Sequence, residues 1–146
     1  MERFSSKHKI KIVFNIVDVP SSLEGAKTVA DVEGNLTVYV NDKIFLNEEN
    51  ILLLELAIIL NKWLRYIKNN EFRNFYYESM NYEDQPILEF AINKEKKYSV
   101  YSVWQEFKND DFFDLIELVK AASNYITELK HALQQKFDLN ISSFLD

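Results

Sequence analysis

An α+β fold, with an antiparallel sheet of about six to seven strands packed on two helices, is predicted from three observations. Residues 9–19, KIKIVFNIVDV, alternate apolar and polar side chains, the period of a half-buried strand. Ten residues from Ile51 to Leu60 are almost uninterruptedly apolar, and Phe112, Leu115, Ile116, Val119, Ala122, Ile126, Leu129 and Leu133 recur at helical spacing. Between these two helical stretches lie three short segments rich in tyrosine, phenylalanine and valine, the composition of strands. The expected order is strands, helix, three-strand meander, helix, in one domain spanning 1–146.

The first strand puts Ile10, Ile12, Phe14 and Ile16 on one side and ends at Pro20 and the serines that follow it. Two further strands, Lys27 to Glu33 and Leu36 to Val40, are expected to meet through Gly34-Asn35, where glycine can supply a hairpin's positive φ. Asn41-Asp42 offers a second turn, ahead of a short strand from Lys43 to Leu46. Asn47-Glu48-Glu49-Asn50 reads as a helix start, with asparagine as cap and two acids at the positive end of the dipole. That helix is expected to reach about Asn69, with Lys62, Arg65 and Lys68 near its exposed C-terminal end.

The meander is expected to comprise strands from about Phe72 to Met80, Ile87 to Asn93 and Tyr98 to Phe107, the last two registered with Tyr98, Val100 and Ser102 beside Ile92, Phe90 and Leu88. Asn109-Asp110-Asp111 offers the cap of the last helix, which runs to roughly Phe137.

Composition narrows the function classes. The 146 residues include 47% apolar and 14% aromatic side chains but only two glycines and two prolines, which is the composition of a chain that folds. Seventeen basic against 23 acidic residues give a net charge of −6, which disfavours nucleic acid and suits a basic protein partner. No cysteine is present, so disulfides and thiolate chemistry are excluded. Two glycines cannot build the glycine-rich phosphate loops, and His8 and His131 lack metal-ligand spacing, so no cofactor or metal is expected. The apolar run at 51–60 is too short to span a bilayer and the N-terminal stretch lacks a signal-peptide core, so no membrane segment and a cytoplasmic location are expected.

One surface stands out. A tight reversal centred between Glu83 and Asp84 pairs Glu78 with Glu89, leaves both on the face opposite the apolar one, and groups them with Tyr76, Met80 and Tyr101. Like charges directly opposite are destabilising unless a cation enters, a proton is shared, or both splay into water. The aromatic-plus-acid set is therefore read as a docking patch for a lysine- or arginine-bearing protein, with ordinary sheet surface as the plainer alternative. Other readings of the face are a small enzyme or ligand-binding protein working through Glu78 and Glu89, or a homodimer contact.

Three segments add a resemblance: Glu55-Leu56-Ala57 with Leu60 and Trp63-Leu64, Tyr77-Glu78-Ser79-Met80, and Ser102-Val103-Trp104-Gln105. Together they resemble a family of short bacterial proteins known only as a domain of unknown function, over about residues 25–135. The resemblance implies the fold and neither an activity nor a cofactor. Size and composition also resemble those of immunity proteins, which neutralise bacterial toxins; this likeness implies a non-enzymatic protein whose partner is a basic toxin.

Overall fold

The computed structural model describes residues 8–20, 31–79 and 82–145. The predicted α+β class and element order hold, with the strands divided between two three-stranded antiparallel sheets. The first sheet has the order β1 (Ile10–Asp18), β2 (Glu33–Val40), β3 (Lys43–Leu52). Helix α1 (Leu53–Lys68) leads to the second sheet, β4 (Phe75–Tyr77), β5 (Leu88–Ile92) and β6 (Tyr98–Tyr101). Helix α2 (Leu115–Phe137) and the single turn α3 (Ser142–Leu145) complete the chain.

Alternation in β1 works as expected, burying Ile10 and Ile12 and exposing Lys11. The hairpin expected at Gly34-Asn35 is absent, because β2 runs unbroken from Glu33 to Val40 and Gly34 lies inside it, paired with Ile16. Of the strand expected from Lys27, residues 27–30 lie outside the described residues. Gly34 serves close approach: a Cβ there would sit 2.1 Å from the Asn15 carbonyl oxygen and 2.9 Å from Leu53 Cδ1. The same place carries a register shift between Ile16 and Asp18, so the strand bends where the backbones crowd.

Asn41 and Asp42 do form the predicted tight turn, both at positive φ, 51° and 68°. The Asn41 side chain closes it on β1, its Oδ1 accepting from Lys9 N at 2.8 Å. Beyond the turn, β3 continues past Leu46, and Asn47 to Asn50 extend the strand instead of starting a helix. Glu48 pairs with Leu36, and Thr37 Oγ1 donates to Asn47 Oδ1 at 3.1 Å. The ladder holds Asn47 and Glu48, Glu49 and Asn50 bulge out of its register with Asn50 at φ 59°, and the helix starts only after Ile51 and Leu52, which are fully buried. Leu53 N donates to Val32 O, and no side chain caps α1.

Helix α1 buries Leu53, Leu54, Leu56, Ala57, Leu60 and Trp63. Each buried leucine contributes about 1.5–3 kcal/mol relative to exposure. Trp63 meets Phe75, Phe90 and Tyr98 edge-on at centroid separations of 6.0, 5.5 and 6.1 Å, joining helix to second sheet. The cap expected for α2 at Asn109 to Asp111 also does not form there. Phe113 instead exchanges backbone bonds with Tyr98 at 3.0 and 2.8 Å, prolonging the second sheet's edge, and the helix begins after Asp114. The Asp114 carboxylate pairs with Lys97 instead of capping. Near the C-terminus, Asn61 and Arg65 of α1 both donate to the Leu145 carbonyl.

Candidate functional site

The pairing of β4 with β5 is Phe75 to Phe90, Tyr76 to Glu89 and Tyr77 to Leu88, two residues away from the expected register. The pairing of β5 with β6 agrees with expectation, Glu89 opposite Tyr101 and Phe90 opposite Val100. The cause of the first difference is the reversal itself. It is a wide loop, closed by Ile87 N donating to Tyr77 O at 2.9 Å and by the Gln85 side chain, whose Nε2 donates to the carbonyls of Ser79 and Tyr82 at 3.0 and 2.6 Å. A tight turn was the premise of the Glu78–Glu89 pair, and that pair does not form across the ladder.

A two-residue shift keeps every side chain on its own face. Phe75, Tyr77, Leu88, Phe90, Tyr98 and Val100 are buried, as expected of the apolar face. On the other face Glu89, half-buried, has Tyr76 on one side and Tyr101 on the other, and these rings are 44% and 43% exposed. Glu78 is exposed just beyond the end of β4, and Met80 lies outside the described residues. Three of the five predicted site residues therefore form one row across three strands: tyrosine, glutamate, tyrosine. A carboxylate between two exposed tyrosines offers an ammonium or guanidinium group both charge and aromatic surface.

A second group is not legible as a unit in the sequence, because Glu48 and Glu49 carry the chemistry of a helix start. Tyr82 and Trp104 meet edge-on with centroids 4.7 Å apart, and the Tyr82 hydroxyl donates to Glu49 O at 2.7 Å. Burial raises the Glu48 carboxyl above its ordinary value, and Glu106 and then Glu49 add to the effect. The Tyr82 phenol is raised by burial and by Glu48, Glu33 and Glu49. Glu106 N donates to Phe45 O at 2.7 Å, which ties this acid-rich corner to the edge of the first sheet.

Behind the row, Tyr77 donates its hydroxyl to Glu55 Oε1 at 2.9 Å, and Tyr125 donates to Leu53 O at 2.7 Å. Burial pushes both phenols up, with Glu55 adding to Tyr77 and Tyr77 adding to Tyr125. Glu55 is 8% exposed and stands in the first turn of α1, where the helix dipole favours a carboxylate. This is a structural linkage between helix and sheet. Among the described residues no three His, Asp or Glu side chains converge as metal ligands do. A cleft of about 310 Å³ opens between β1 and α2, lined among others by Lys9, Lys11, Tyr39, Lys120, Asn124 and Glu128, and does not include the row. No helix among the described residues is long and apolar enough to cross a membrane.

The chain belongs to the family described as Domain of unknown function (DUF7878), whose model matches residues 12–135. All three segments that carried the resemblance fall within that match. No curated protein and no solved structure matches the chain.

Proposed function

We propose that this member of the family is a protein-binding module whose partner presents a lysine or arginine to the row Tyr76, Glu89 and Tyr101. The observation that carries the reading is the row itself: one carboxylate between two exposed tyrosines on three paired strands. Tyrosine anchors are enriched where interfaces concentrate their energy, and a net charge of −6 steers basic partners inward. The sharper form of the proposal is an immunity role in the bacterial cytoplasm, in which the row and the exposed Glu78 beside it cover a basic toxin.

The test is a titration of the labelled protein with an arginine-rich peptide, followed by amide chemical shifts. The expected result is perturbation centred on Tyr76, Glu89 and Tyr101, reduced about tenfold or more in apparent affinity by Glu89→Lys and weakened by salt. Shifts centred instead on Glu48 and Glu106, or unchanged binding by the variant, would sink the reading.

A further inference from the structure

The two ends of the second sheet carry opposite charge. At one end β4 and β6 begin and β5 finishes, and the adjoining stretches 62–73 and 93–97 hold seven lysines and arginines against Glu71 and Glu95. These stretches meet in space. Arg73 lies 3.7 Å over the Tyr66 ring, Lys96 Nζ lies 5.5 Å over the Phe72 ring, and Asn74 Oδ1 accepts from Ile92 N at 2.9 Å. Tyr66 and Phe72 remain 39% and 40% exposed, so this end presents rings already carrying cations, with Lys68 and Lys94 exposed in the same stretches.

At the opposite end, residues 82–86, residues 102–107 and the middle of β3 come together, joined by Val103 N to Pro86 O at 3.0 Å and Glu106 N to Phe45 O at 2.7 Å. Glu48, Glu49 and Glu106 gather there beside the Tyr82–Trp104 pair, and the exposed Glu83 and Asp84 follow Tyr82 in the chain. Among the described residues none of these five acids takes part in an ion pair.

We propose that the basic, ring-bearing end docks the acidic end of a second copy of this chain, head to tail. At the basic end Arg73 is paired with Glu71 and Lys97 with Asp114, but among the described residues Lys68, Lys94 and Lys96 have no ion pair, so its excess cations match the carboxylates without counter-ions at the other end. The net charge does not forbid it, because a Debye length of about 8 Å at physiological salt screens whole-molecule repulsion while leaving contact-range pairs effective. The two surfaces differ, so the contact is heterologous and its product is a growing chain of copies, not a two-fold dimer. This contact is separate from the row proposed above and stands or falls without it.

Sedimentation of the full chain at about 0.15 M salt from about 10 µM to 1 mM tests it. The expected result is a weight-average mass that climbs above 17.3 kDa with concentration and returns toward it in about 0.5 M salt. Two charge-reversed proteins sharpen the test: Arg73→Glu with Lys96→Glu at the basic end, and Glu49→Lys with Glu106→Lys at the acidic end, each checked for native circular dichroism. Each alone is expected to be monomeric. Their equimolar mixture should regain a mass above the monomer, since each protein keeps one working end and the two reversed ends are again opposite in charge. A wild-type chain that stays monomeric, a reversed protein that still self-associates, or a mixture that stays monomeric would each overturn the proposal.

Discussion

The two sheets are held together differently. The first has strands of eight to ten residues, an aliphatic inner face of Ile10, Ile12, Leu36, Val38 and Leu46, and register shifts in both of its ladders. The second has strands of three to five residues, an aromatic inner face gathered around Trp63, and uninterrupted registers. Long ladders tolerate a bulge because the remaining bonds hold the pair. Short ladders have few bonds to spare, and interlocking rings supply the alignment.

That contrast can be broken most severely at Trp63. Trp63→Ala removes an indole that touches three rings and donates Nε1 to Arg73 O at 2.8 Å, and the expected loss is about 3–5 kcal/mol by chemical denaturation. Amide exchange should accelerate first in β4 to β6, and equal acceleration in β1 to β3 would remove the distinction between the sheets. Gly34→Ala tests the first sheet in turn. The added methyl must displace the Asn15 carbonyl, and a loss of about 1–3 kcal/mol is expected, with exchange rising first in β1.

Tyr77→Phe probes the link between helix and second sheet, leaving the buried Glu55 carboxylate without its phenol, at an expected cost of about 1–3 kcal/mol. The same variant has a pH signature. Folding holds the Tyr77 and Tyr125 phenols above the ordinary value of about 10, so their contribution is full below that pH and is lost as pH rises beyond it. Wild-type stability should therefore fall above about pH 10, and less steeply in Tyr77→Phe.

The smallest effect is expected at Glu48. Its carboxyl is raised in the folded protein, so the favourable contribution belongs to low pH and is lost as pH rises through the folded value. Glu48→Gln should then be more stable than wild type at pH 7 by about 0.5 kcal/mol, with the gap closing below about pH 4. A destabilised variant at neutral pH would show that the carboxylate has a favourable partner.

Legibility in the sequence followed the same division. Period-2 alternation in β1, helical spacing in α2, the Asn41-Asp42 turn and the β5–β6 register were all readable, because each depends on a few adjacent residues. Gly34 was misread since a glycine signals equally a turn and a close approach, and only the position of Asn15 decides between them. Asn47 and Glu48 carry helix-start chemistry, yet the ladder with β2 claims their backbone and carries the strand on to Leu52. Asn109 to Asp111 lost their capping role to a bridge between Phe113 and Tyr98, a contact fifteen residues away in sequence. The row at Glu89 was legible in its membership but not its pairing, because face depends on parity while register depends on the Gln85-closed loop.

The chain has two tryptophans, and the fold gives them different accessibility to solvent ions. Trp63 is sealed among rings, whereas Trp104 is half-buried beside Tyr82 in the acid-rich corner. Intrinsic fluorescence therefore carries two separable colours of information: caesium ions should quench the Trp104 emission more readily than iodide does, and Trp63 emission should respond to neither until the protein opens.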